Sequence, residues 1–220
     1  LQALYRFYGE ELELERIVQE IPQLEDGGVL AVQLARHALR RGWRGQIYTY
    51  NLQVFDPTWF HDPRPDLHAK LAAQARAKNK RKLRFATEAY LEFLELGGQV
   101  DMRDLTADFL AELLEQGAPV LTGLSSTWLY RASREVGAEP VDDDVRGVPQ
   151  GHFVVLLGWE EQLRHVFVAD PLRSNPFSAE PVYSVDVDRL IAAILLGIVT
   201  YDANLLVLRP PADRCAPCRS

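Results

Sequence analysis

The sequence predicts an α+β fold, with N-terminal helices packed on a C-terminal antiparallel sheet. Two observations carry this. Apolar residues recur at helical spacing through most of the first half, whereas the second half holds short β-favouring runs bounded by Gly, Pro and Asp. The order is helices first and strands later, without the strict alternation of strand and helix that marks a parallel α/β sheet. The chain has 220 residues, 47% hydrophobic and 25% charged, which is the ordinary globular range. A chain of this length buries roughly 70% of the surface its unfolded form exposes, so its core needs neither disulfides nor a metal.

Leu1, Leu4, Tyr5 and Tyr8 stand at helical spacing before Gly9, as in the tail of an amphipathic helix. The helix has no cap before Leu1, so the sequence is expected to start inside an element, and it opens with Leu rather than Met. A second helix is expected over Glu10 to Glu20, stopped by Pro22, and a third over Val29 to Arg41, stopped by Gly42, with an Asp26-Gly27-Gly28 turn between them. Trp43 to Asn51 reads as a strand closed by Asp56-Pro57. Residues 61–85 read as an exposed basic helical insertion, with Arg76, Lys78, Lys80, Arg81, Lys82 and Arg84 crowded together. Such a run is either a solvated helix face or a docking patch for an acidic partner.

Further helices are expected at Thr87 to Leu96, ending at Gly97-Gly98, and at Ala107 to Glu115, with a short strand near Val100. The later strands are Pro119 to Leu124, Phe153 to Gly158, His165 to Ala169 and Asn204 to Leu208, with a helix near Val187 to Leu196 before the last. Ser133 to Gln150 reads as an exposed loop. One domain is expected over residues 1–209, followed by a flexible tail over 210–220.

The net charge of −7 has the wrong sign for a dedicated nucleic-acid binder. The longest apolar run, Leu190 to Val199, is about half of the roughly 20 residues a membrane-spanning helix needs. No secretory signal opens the sequence, so a cytoplasmic location is expected. No Gly-x-x-x-x-Gly-Lys precedes a helix, so no nucleotide site is expected. No cofactor or metal is expected either, because His37, His61, His68, His152 and His165 show no paired ligand spacing.

The sharpest chemical feature is the run Gly151-His152-Phe153-Val154-Val155-Leu156-Leu157-Gly158, followed by a return strand ending in Asp170-Pro171. A five-residue loop centred on Glu161 would set Gly158 against Arg164 and His152 directly opposite Asp170. Cross-strand partners hold their Cβ atoms roughly 4.5–5.5 Å apart, close enough for a carboxylate to accept an imidazole proton. That is a general base with its orienter, and it asks for a thiol or hydroxyl as third member. The competing reading is a structural histidine at a strand start beside a plain Asp-Pro turn.

The His-Phe-Val-Val-Leu-Leu-Gly strand, the return strand ending in Asp-Pro and the opening Leu-Gln-Ala-Leu-Tyr-Arg-Phe-Tyr-Gly helix resemble the papain-like cysteine peptidases of family thirty-nine. These are the bacteriocin-processing, double-glycine-leader type and their stand-alone relatives. The resemblance covers most of the chain and is strongest over residues 1–50 and 118–172. It implies a papain-like fold, with His152 and Asp170 as catalytic residues and a peptide or protein substrate. It also implies a nucleophilic Cys, commonly followed by Gly-Pro, with an oxyanion-hole Gln a few residues upstream. Both positions would fall before Leu1, so the chain as given is expected to be inactive alone. A catalytically silent peptide-binding module and an acyl or amide transferase are the alternatives on the same fold.

Other residues carry weaker readings. Cys215 and Cys218 form a Cys-Ala-Pro-Cys tail that lacks the context of a redox pair or zinc site. Ser125, Ser126 and Thr127 lack a nucleophile elbow, and are expected to cap the segment starting at Trp128 or to line a cleft beside His152. Trp59, beside the Asp56-Pro57 turn, is a core or substrate-contact aromatic. Gly151 offers room for a substrate backbone to approach. His165 has the wrong parity to share a face with His152 and reads as structural.

Overall fold

A computed structural model describes residues 1–24, 28–62, 65–137, 141–172 and 175–211. The chain forms two compact units, Leu1–Met102 together with the chain from Leu206 onward, and Arg103–Leu205. Two parts of the sequence reading, the Asp26-Gly27 portion of the first turn and the Cys215/Cys218 tail, lie outside the described residues.

The N-terminal unit opens with helices α1 (Gln2–Phe7), α2 (Leu14–Glu20) and α3 (Ala31–Arg40). Pro22 forces Ile21 into an extended conformation, which ends α2. Helix α3 buries Val32, Leu34, Ala35, Ala38 and Leu39, and Gly42 follows its end at φ +84°, a left-handed position suited to glycine. Strand β1 (Arg44–Thr49) leads through a 3-10 turn at Pro57–Phe60 into α4 (Leu67–Ala77) and α5 (Arg81–Glu95), then β2 (Gln99–Asp101).

β1 and β2 pair in parallel, Ile47 opposite Val100, a departure from the purely antiparallel expectation. The reason is the connection: two helices return the chain to the end where β1 began, as a parallel pair requires. Helix α5 is also continuous, so the basic stretch beginning at Arg81 is the first turns of a helix whose Leu83, Ala86, Ala89, Tyr90 and Phe93 are buried.

The second unit begins with α6 (Ala107–Glu115), whose Thr106 side chain accepts from the Phe109 amide at 3.1 Å as an N-cap. There follow β3 (Val120–Ser125), α7 (Ser126–Tyr130), the short pair β4 (Glu135–Val136) and β5 (Val141–Asp142), and β6 (Gly151–Glu160). Then come β7 (His165–Ala169), β8 (Val182–Asp186) and α8 (Val187–Leu196), after which the chain enters β9 (Asn204–Arg209), whose residues from Leu206 onward count with the first unit. β3, β6, β7 and β8 are neighbours in that order and all pair antiparallel. Their registers place Val120, Thr122, Leu124, Val154, Leu156, Val166, Val168, Tyr183 and Val185 on one buried face. Helix α8 packs Val187, Leu190, Ala193 and Ile194 here, contacting β3, β7 and β8. Each of these Val, Leu and Ile side chains stabilises the unit by about 1.5–3 kcal/mol through burial. Among the described residues no helix is long and apolar enough to cross a membrane.

Candidate active site

His152 is the second residue of β6, opposite Leu124 of β3, on the buried face of the sheet. Its backbone is fixed from the start of α7. The Thr127 hydroxyl accepts from the Gln150 amide at 2.9 Å, and the Ser126 amide and hydroxyl both donate to the Gln150 carbonyl, at 3.0 and 3.2 Å. Ser125 accepts from the Trp128 amide at 3.3 Å and so caps α7, as the sequence suggested for this hydroxyl cluster.

Asp170 extends the β7–β8 ladder by one rung, its amide donating to the Pro181 carbonyl at 2.8 Å. Its carboxylate also accepts from the Leu172 amide at 2.9 Å, the Asx turn expected of an Asp-Pro corner. The turn contact and a contact with His152 therefore coexist at one carboxylate. His152 Nε2 lies 2.7 Å from Asp170 Oδ1.

The register that achieves this is not the one expected. The connection is a four-residue loop, Glu161 to Arg164, so Glu160 faces His165 and Gly158 faces Phe167. Carried on without interruption, that ladder would put Asp170 on the face opposite His152, because side chains alternate along a strand. A β-bulge between Leu156 and Gly158 corrects the parity: beyond it Leu156 pairs with Val168 and Val155 with Ala169. The surplus residue, Leu157, is 41% exposed. Extended by one step, the corrected ladder sets Asp170 level with Val154. His152 is thus its diagonal neighbour on the same face, not its direct partner.

The Asp170 side chain is fully buried, while that of His152 is 22% exposed. Besides His152 and Leu172, the carboxylate accepts from two phenols through Oδ2: Tyr183 at 2.6 Å, and Tyr130. Burial raises the proton affinity of Asp170, but donation from Tyr130, Tyr183, His152 and the Leu172 amide outweighs it and holds the carboxyl below its ordinary range. Burial, then the hydrogen bond to Asp170, pushes both phenols well above theirs. An ionised carboxylate is an acceptor only, so the neutral imidazole carries its proton on Nε2. Nδ1 has no hydrogen-bond partner among the described residues and is not buried. It is the nitrogen left for chemistry.

The Tyr130 ring lies 6.3 Å from the His152 ring and 5.8 Å from that of Phe177. Phe177 in turn lines a cleft of about 610 Å³ with Trp128, Arg131, His165 and Arg189. His165 donates to or accepts from the Ser184 hydroxyl at 3.3 Å and makes no hydrogen bond with Asp170. Exposed Gly151 leaves no free room on its own account, since a Cβ there would meet the Thr200 hydroxyl at 2.6 Å. Trp59 belongs to the N-terminal unit, half-buried and edge-on to Phe55 at 6.3 Å.

Tyr130 and Tyr183 escaped the sequence reading. Tyr183 lies on a strand that the sequence reading did not include, although Tyr183-Ser184-Val185-Asp186 alternates apolar and polar with a period of two; it faces Val168 across the ladder. Tyr130 comes from a five-residue helix with no amphipathic signal of its own. Among the described residues no group of three or more His, Cys, Asp and Glu is placed to hold a metal ion. The chain matches no protein-family model, no curated protein and no solved structure.

Proposed function

We propose that the chain carries the acid–base half of a papain-like cysteine peptidase that hydrolyses amide bonds in peptides. The observation that supports it is the 2.7 Å contact between a half-open histidine and a buried, ionised Asp170, with Nδ1 left accessible. In this reading Nδ1 takes the proton of a thiol, and the thiolate sulfur bonds to the substrate carbonyl carbon. The imidazolium then returns the proton to the amine as the C–N bond breaks. Water, deprotonated by the same nitrogen, splits the thioester to acid and thiol. Asp170 accepts the hydrogen bond of the Nε2–H throughout and stabilises the imidazolium by its charge. The thiol is what the family resemblance implies as the third member, and an amine in place of water would make the same site a transferase. The exposed cations Arg76, Lys78, Lys80, Arg81 and Arg84 are assigned to an acidic partner segment.

The test is a form extended by whatever the gene encodes before Leu1, treated with a thiol-directed activity probe beside a His152→Ala control. Labelling of an upstream Cys that requires His152 is the expected result. Absence of His152-dependent labelling would replace the enzyme with a silent peptide-binding module.

A further inference from the structure

We propose that Tyr130 and Tyr183 are positioning residues of the dyad, which fix the Asp170 carboxylate so that it accepts the hydrogen bond of the His152 Nε2–H and leaves Nδ1 to exchange protons. The inference rests on the reading of His152 and Asp170 as an acid–base pair. A carboxylate that merely closes a turn needs its own backbone amide, and Asp170 has that in Leu172. Two phenols go beyond the requirement. They come from different elements, Tyr130 from α7 and Tyr183 from β8, yet both donate to the same oxygen, Oδ2. Oδ1 serves His152 and Leu172. Each carboxylate oxygen offers about two acceptor positions, so the group is saturated.

Saturation has a chemical meaning. With all four positions taken, the carboxylate has no position left for water and cannot rotate away from His152 without breaking several charge-assisted bonds at once. Both phenols hold their protons far above neutral pH, so they remain donors wherever the site operates. Sharing the negative charge among four donors also limits its pull on the imidazolium. Removing one phenol concentrates that charge on His152, which favours the protonated ring and raises the pH at which it titrates.

The experiment is a ¹⁵N and ¹H NMR titration of the five histidines in the full chain. The His152 signal is identified by its loss in His152→Gln, and the titration is repeated in Tyr130→Phe and Tyr183→Phe. The wild-type ring should show the Nε2-protonated tautomer when neutral. Each phenylalanine variant should raise the His152 titration by about half a pH unit or more, leaving His165 unchanged. Folded variants whose His152 titrates as in wild type would reduce the tyrosines to structural residues and overturn the proposal. A wild-type ring protonated on Nδ1 would overturn it without any variant, so a misfolded mutant does not shelter it. A displaced titration, in a protein whose extended form shows no His152-dependent labelling, would support the clamp and remove only the peptidase reading.

Discussion

Replacing Asp170 by Ala leaves the Tyr130 and Tyr183 hydroxyls, the His152 Nε2–H and the Leu172 amide without their acceptor. A buried donor left unpaired costs about 1–3 kcal/mol. His152 is 22% exposed and Leu172 43% exposed, so both recover water, and the full penalty falls on buried Tyr183 with smaller ones on the other three donors. The expected loss is about 2–4 kcal/mol, one full penalty at Tyr183 and fractions of one at the remaining donors. Urea unfolding followed by tryptophan fluorescence measures it. The pH dependence sharpens the test. The native carboxyl titrates below its unfolded value, so its stabilisation is complete above the ordinary carboxylate range, about pH 4, and fades as pH falls through the depressed native value. The gap between wild type and Asp170→Ala should therefore narrow in acid. A loss under about 1 kcal/mol at neutral pH, or a gap that stays constant down to about pH 3, would refute the reasoning.

Deleting Leu157 should preserve the His152–Asp170 contact, because every pair on either side of the bulge survives in a regular ladder. Inserting one residue there should abolish the contact, and the His152 NMR titration reads both results. Gly151→Ala should cost about 1–2 kcal/mol by driving into the Thr200 side chain, and Thr200→Ala in the same chain should recover most of it in a double-mutant cycle. Burial depresses the titration of His37, which lies between the Tyr5 hydroxyl at 2.7 Å and Glu20 at 3.0 Å. Its neutral form is the one the fold favours, so its stabilisation is present above the ordinary histidine value, about pH 6.5, and declines as pH falls towards the native value. His37→Gln should flatten stability against pH in that interval, measured by thermal unfolding at a series of pH values.

Most elements were legible because their signals are local. Pro22 and Gly42 stop helices where chain geometry says they must, and the His152 and His165 strands announce themselves by β-branched runs. The His152–Asp170 pairing was legible too, but by a register two residues from the real one. The expected and actual ladders share parity, so the face was right although the partner was wrong. Gly158, inside a strand, was the clue to the bulge. What stayed hidden depends on distant parts of the chain: the parallel pairing of β1 with β2, and the convergence of Tyr130 on a carboxylate 40 residues away.

The tether at Gln150 bears on how tightly a ligand could be held at His152. Ser126 and Thr127 bind both polar groups of that peptide backbone, so the start of β6 is ordered before anything arrives. Ordering a residue's backbone costs about 1–2 kcal/mol of conformational entropy. Here that entropy is lost during folding, and any ligand bound there would meet a rigid rim whose contacts translate into affinity without deduction for loop closure.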